Sequence, residues 1–427
     1  MNYLDFRKSI DNIPVIDTHE HLNKESGYFN TALDFFDMLI PYSCDNLLSA
    51  GLSRFDWYKL IDKSLSIEAR FEIFKPYIED IRYTTYFRAI FFSLQSDFDM
   101  KDITLEEVKK VSEKLQISNK VGVMEKMKKD LNIETIMSFI PFNQLDYFSD
   151  SGHTLVPTIS DIFLRHRFDI ERVGEAAGIY IDSFDALLKA IEIIFENYNK
   201  FGIKAVKFCS GYRRKLDFDL VTRDSAEKEF GAVFSEILGG DSVMCGAPFS
   251  VYPTSQLKAL DDYLTDFMVS LAGKYAMPVF MHAGIHAWNG NDIESIKVAC
   301  LSGLIRRHAN VNFILLHCGM PFIDEAVILC KYFPNVYLNF TWCHIIDTAM
   351  SRLLVKKCIE MLPINKIHAF GGDYLYPQQV KGHLEFVKNN VAIALWELVN
   401  EGVMTSEQAQ KIAYSWFYEN PKELLGS

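Results

Sequence analysis

His19 and His21 stand two residues apart at the end of a short apolar run, Pro14-Val-Ile-Asp-Thr-His-Glu-His. Residues i and i+2 of a strand point to one face, so this spacing offers two imidazoles side by side, half of a metal site. Four more chemistry-bearing residues end or sit in similar runs. These are Lys207 in Val206-Lys-Phe-Cys, His282 in Met281-His-Ala-Gly, His317 in Leu316-His-Cys-Gly and Asp373 in Phe370-Gly-Gly-Asp. Any one of them alone reads equally well as a satisfied core histidine or a helix cap. Polar groups that close apolar strands at five places in one chain read together as a preorganised metal centre. Neutral imidazole and carboxylate suit Zn²⁺, and also Mn²⁺ or Fe²⁺.

The elements that must position these groups follow from the hydrophobic pattern. Eight β-rich runs are legible: 15–18, 133–140, 154–157, 205–209, 278–282, 312–317, 336–340 and 367–370. Amphipathic helices lie between them from residue 130 onward. In 184–198, Phe184, Leu187, Leu188, Ile191, Ile194, Phe195 and Tyr198 recur at helical spacing, and Gly202 can end that helix in left-handed geometry. Thr405 and Gln408 fit a capping box that opens the last helix. Eight strand–helix units predict an α/β chain closed into a (β/α)8 TIM barrel, whose reactive groups come from the C-terminal ends of the strands. An open doubly wound sheet is the alternative, but no glycine-rich nucleotide loop follows an early strand. The aromatic-dense stretch 25–129 predicts a helical insertion after strand 1, a packing layer or a cap over the mouth. The barrel then comprises 1–24 and 130–427.

Composition narrows the function classes. With 427 residues, 49% of them hydrophobic, the chain can bury a large core. A net charge of −12 without a basic block argues against nucleic acid and anionic membranes as partners. No run reaches the length of a membrane span, and the first eight residues lack the apolar region of a secretory leader. The eight cysteines (44, 209, 245, 300, 318, 330, 343 and 358) include no Cys-x-x-Cys, and most lie in apolar runs. They predict reduced, mostly buried thiols and a cytoplasmic location.

The ordered pattern resembles the amidohydrolase superfamily, whose (β/α)8 barrel carries His-x-His on strand 1, Lys on strand 4, His on strands 5 and 6, and Asp on strand 8. The segment Gly202-Ile-Lys-Ala-Val-Lys-Phe-Cys-Ser-Gly-Tyr-Arg-Arg is similar to strand 4 of one branch. In that branch the barrel is fused to a glutamine-synthetase-like domain, a part absent here. The long insertion after strand 1 resembles that of uronate isomerases, and Lys207 is the feature that points away from them.

The resemblance implies one or two divalent metals. His19, His21 and Asp373 would hold one, and His282 and His317 a second. An ordinary lysine has a pKa near ~10.4 and is a poor neighbour for a cation. The resemblance implies that Lys207 is carboxylated to an anionic carbamate bridging two metals; with a single metal it stays an ammonium that binds an acidic substrate. Asp373 would act as general acid and base. Tyr212 and Arg213 after strand 4, His286 and Trp288 after strand 5, and Trp342 after strand 7 are expected to line the substrate pocket. Arg214, Arg165, Arg167, His344, Tyr374 and Tyr376 are further candidates, and Gly371 and Gly372 are read as giving a ligand close access. The expected function is metal-dependent hydrolysis of an amide, ester or lactone bond in a small acidic substrate. A sugar-acid isomerase and a non-catalytic ligand-binding barrel are the alternatives. A homo-oligomer would be ordinary for this fold.

Overall fold

The computed structural model describes residues 2–27, 32–235, 257–288 and 290–424. Cys245 lies outside them. Eight parallel strands follow one another in chain order around a single sheet. They are β1 (Val15–Glu20), β2 (Ile133–Pro141), β3 (Thr154–Thr158), β4 (Val206–Phe208), β5 (Val279–His282), β6 (Phe313–Leu316), β7 (Val336–Asn339) and β8 (Ile367–His368). Each overlaps the run that predicted it.

Closure between β8 and β1 comes from the residues just past β8. The Thr18 amide donates to the Phe370 carbonyl (3.2 Å), the Asp373 amide to His19 (2.8 Å) and the His21 amide to Tyr374 (3.1 Å). The first and last candidate ligands, His19 and Asp373, meet on this side. β3 and β4 are joined at one pair, Thr158 with Lys207.

Two apolar layers follow from the period-2 alternation of the strands. Met137, Phe139, Val156, Ala205, Phe280, Ile314 and Leu316 pack together as a small inner core. Their alternates, among them Ile136, Val206, Val279, Met281 and Leu315, join a continuous outer core with the surrounding helices. By the same alternation Lys207 and His282 share the inner face with Ala205 and Phe280.

The helix Phe184–Phe201 buries Phe184, Leu187, Ile191, Ile194, Phe195 and Tyr198, and Gly202 caps it at φ 86°. Thr405 and Gln408 form the expected capping box of Ser406–Tyr414, although a further helix, Asn420–Leu424, follows it. Between β1 and β2 the chain is helical, from Phe35–Leu39 to Val123–Leu131. Phe35, Phe36, Phe74, Phe87 and Leu94 of this stretch belong to the same outer core as the barrel helices. No helix of the described residues is long and apolar enough to cross a membrane.

Candidate metal centre

The first strand delivers two imidazoles through an irregularity. The β1–β2 register shifts between Asp17 and Glu20, and such shifts re-aim side chains at barrel rims. The His19 and His21 Nε2 atoms lie 3.3 Å apart. Asp373 Oδ1 lies 3.1 Å from the first and 3.3 Å from the second. These three side chains offer ligand atoms within 4.8 Å of one another. Lys207 Nζ sits 3.3 Å from His19 Nε2 and 4.6 Å from the Phe139 ring centroid. Phe139 in turn stacks on the His19 ring at 3.9 Å.

The second pair lies beside the first, with the His317 ring 5.9 Å from that of His19. Strand alternation would turn His317 outward, because Leu316 points in. His317 instead takes a left-handed φ of 61°, followed by Cys318 at 47°, and its ring comes to 4.4 Å from that of His282. A non-glycine residue holds such a conformation only where its surroundings impose it. His317 Nδ1 donates to the Thr341 carbonyl (3.1 Å) and His282 Nε2 to the Ile285 carbonyl (3.2 Å). The tautomers are thereby fixed, and the two remaining nitrogens face each other as lone pairs across 3.1 Å. Two lone pairs at that distance repel unless a proton or a cation lies beside them.

Electrostatics favour the cation. Burial, with His317 and His286 nearby, holds the His282 imidazole well below its usual pKa. Burial lowers His317 to about 4, and burial with the Lys207 ammonium lowers His19 to about 3. The rings are therefore neutral, the form that binds metals. Burial alone would raise the Asp373 carboxyl, but facing His19, His21 and His317 more than offset it and keep the group ionised. Neutral imidazoles around one carboxylate fit a divalent cation. His21 is the exposed member, its side chain 38% accessible, against 10% for Asp373.

Asp373 is itself held in left-handed geometry, φ 61°. Its amide is taken by the His19 carbonyl, and its carbonyl accepts from the Tyr42 hydroxyl of the insertion. The Gly372 amide donates to Asp17 (3.2 Å) and the Tyr374 amide to Glu20 (2.7 Å). Burial raises Asp17 to about 7 and Glu20 well above its usual range, and each carboxyl acts on the other.

The role expected for the neighbouring glycines needs correction. A Cβ on Gly372 would lie 1.8 Å from Glu20 Oε1, and one on Gly371 2.1 Å from Thr341 Oγ1 and 2.8 Å from His19 Cβ. These glycines admit other side chains of the barrel, not a ligand.

Around the centre, the candidate pocket residues divide. The Tyr212 ring lies 4.9 Å from His282 and 4.0 Å from His286. Trp342 meets His317 edge-on at 5.3 Å and stacks on Tyr42 at 4.4 Å. His286 and Trp288 line a cleft of about 400 Å³ beside the centre, with Asp45, Asn291, Met320 and Met350. The Trp288 amide donates to Asp45 (3.2 Å). Arg213 stands 3.8 Å from Asp161.

Other candidates serve the scaffold. Arg214 pairs with Asp262 at 2.6 Å, and Arg165 holds Asp261 by both its terminal nitrogens (2.9 and 2.7 Å). Arg167 lies over the Phe234 ring. His344 is buried against Asn390 in the helical layer. Tyr376 caps the helix Pro377–Asn400, and Tyr374 is buried beside Tyr42 and His383.

Sequence reasoning missed Phe139, Tyr42, Asp17 and Glu20. Phe139 carried a usable signal, since it shares the inner parity of its strand with Met137. Tyr42 carried none, because its contact spans 331 residues.

Residues 237–427 match the family model described as amidohydrolase. Protein fluG of Emericella nidulans is 25% identical over 180 residues, 40% of this chain and 20% of that protein. The match therefore spans about a fifth of the relative's length. A uronate isomerase from Thermotoga maritima superposes with a TM-score of 0.76 at 15% identity, over 99% of this chain and 97% of that one. A glucuronate isomerase from Caulobacter crescentus gives 0.76 at 16% identity, over 99% and 93%. These likenesses establish a shared fold. The stretch that matches the amidohydrolase family model, residues 237–427, carries the strand ends of β5, β6 and β8 with His282, His317 and Asp373, so the family likeness covers that part of the chain.

Proposed function

We propose that the protein is a metal-dependent hydrolase acting on an amide, ester or lactone bond of a small substrate that carries an acidic group. The observation that carries this reading is the facing pair of fixed lone pairs on His282 and His317, beside His19, His21 and Asp373. Four neutral imidazoles and one carboxylate suit a cation. Zn²⁺ is the favoured ion, and Mn²⁺ or Fe²⁺ fit the same donors.

A bound divalent ion supplies Lewis acidity and brings water near the pKa at which it yields hydroxide. The chain's own groups do the rest. Asp373, ionised and within reach of both β1 imidazoles, takes the proton of the attacking water through Oδ1 and returns it to the leaving group. Phe139 and Trp342 wall the imidazoles and limit water.

Charge around the centre orients the substrate. Arg213 lies on the β4 side and favours an anionic group there; Lys207 would add to that attraction only as an ammonium, not as a carbamate. Among the described residues, the cleft beside β5 is lined by Asp45, Asp292 and Asp347 and by no lysine or arginine. It favours an uncharged or amine-bearing remainder.

Carboxylation of Lys207 is part of this proposal. Among the described residues no carboxylate lies within 4.0 Å of its ammonium, which meets an imidazole and an aromatic face. A second reading, a sugar-acid isomerase with one metal, is favoured by the compactness of the His19, His21 and Asp373 group alone.

Metal-loaded protein assayed on N-acyl, γ-glutamyl, lactone and uronate compounds separates the readings. Release of a carboxylic acid is expected. Interconversion of aldose and ketose uronates without hydrolysis would establish the isomerase instead.

A further inference from the structure

We infer that His383, on the helix Pro377–Asn400, is a positioning residue that fixes the orientation of Asp373 by donating its Nδ1–H to the Gly372 carbonyl. The inference rests on the reading of Asp373 as a metal ligand.

His383 Nδ1 lies 3.1 Å from the Gly372 carbonyl oxygen. A carbonyl can only accept, so the proton sits on Nδ1 and Nε2 carries the lone pair. The ring is 0% exposed, wedged edge-on against Phe370 at 5.5 Å and Tyr374 at 5.9 Å. It therefore cannot turn to present its other nitrogen without displacing both aromatics. Burial holds it neutral, at a pKa of about 4.

The bond acts on the peptide that most needs it. Gly372–Asp373 is the turn that takes the chain into left-handed geometry at Asp373. The Gly372 amide is already bound to Asp17, the Asp373 amide to His19 and the Asp373 carbonyl to Tyr42. The Gly372 carbonyl would be the one polar group of these two peptides without a described partner if His383 were removed. A buried carbonyl in that state turns toward any available donor. Rotation of the peptide plane would carry the Asp373 carboxylate with it. Partners of this kind, one step removed from the ligand, typically tune metal affinity by about 10–100-fold.

The test uses two variants of similar size. In His383→Asn the side-chain amide reaches the place of Nδ1; in His383→Gln the donor moves to the place of Nε2. Zinc affinity of the full chain is measured by competition with a chromophoric chelator, with His21→Ala as control. His383→Gln should bind zinc about 10–100-fold more weakly than wild type, and His383→Asn within about threefold of it. If both bind like wild type, or both are weakened alike, the donor is not what matters and the inference fails. If His21→Ala binds zinc like wild type, the metal reading itself fails, whatever the His383 variants do. Failure of His383→Gln to fold beside a folded, zinc-binding His383→Leu would also overturn the inference, since leucine donates nothing.

Discussion

The Nε2 of His317 and the Nδ1 of His282 face each other across 3.1 Å, each ring's other nitrogen committed to a backbone carbonyl. This arrangement stores a repulsion that a cation relieves. Saturation with zinc should therefore raise the thermal midpoint by several degrees, since a ligand at 100 times its Kd contributes about 2.7 kcal/mol. Calorimetry of chelator-stripped and reloaded protein measures it. An unchanged midpoint would show that no ion binds the native fold tightly.

Lys207 meets His19 Nε2 at 3.3 Å and an aromatic face, with no acid beside it among the described residues. Protein reconstituted with metal and ¹³C-bicarbonate should show a carbamate carbon by NMR that is missing from Lys207→Met. A wild-type spectrum without that signal would leave the lysine as an ammonium.

Gly372 admits the Glu20 carboxylate where a Cβ would stand 1.8 Å from it. Gly372→Ala should cost about 3 kcal/mol of stability, at the upper end of overpacking effects, because Glu20 is also tied to the Tyr374 amide. Gly231 offers the contrast. It lies in the helix Arg223–Phe234, with nothing within 4 Å of an added Cβ. Gly231→Ala should stabilise by up to about 1 kcal/mol. Urea denaturation of the two variants reads both.

His344 is buried and neutral, its pKa lowered from 6.5 to about 3 by burial and by His383. In the unfolded chain it titrates normally. Above pH 6.5 neither state is protonated and the histidine brings no penalty. Below pH 6.5 the unfolded chain takes a proton that the folded one refuses, until about pH 3. Stability of wild type relative to His344→Leu should therefore fall by about 2 kcal/mol between pH 8 and pH 5. An increase, or no change, would mean that the ring is not held neutral.

Much of this architecture was legible from two periods, 2 along the strands and 3.6 along the helices. Apolar runs such as 279–281 and 313–316 end where the barrel core ends, so the next polar residue falls at the mouth. Parity alone placed Lys207 and His282 on the inner face. It would have misplaced His317, whose left-handed φ turns it back toward His282. Leu316-His-Cys-Gly signals that turn only weakly: histidine is among the non-glycine residues enriched at such a φ, yet the conformation is uncommon for it. Arg214 shows the opposite failure. Beside Tyr212 and Arg213 it looked like part of an anion-binding loop, yet it is committed to Asp262, 48 positions on. The insertion's part in the centre, through Tyr42 to the Asp373 carbonyl, depends on a contact that no local pattern encodes.

The central claim is that His19, His21 and Asp373 hold a metal ion at the barrel mouth. Elemental analysis of wild type and His21→Ala, purified side by side without added metal and checked for native fold by circular dichroism, tests it most directly. His21 is the exposed member, so its loss leaves the barrel core untouched. The account predicts at least about one equivalent of zinc, manganese or iron in wild type and a nearly empty, folded variant, as expected when a ligand is removed from a closed donor set. Equal metal content in the two proteins would contradict it.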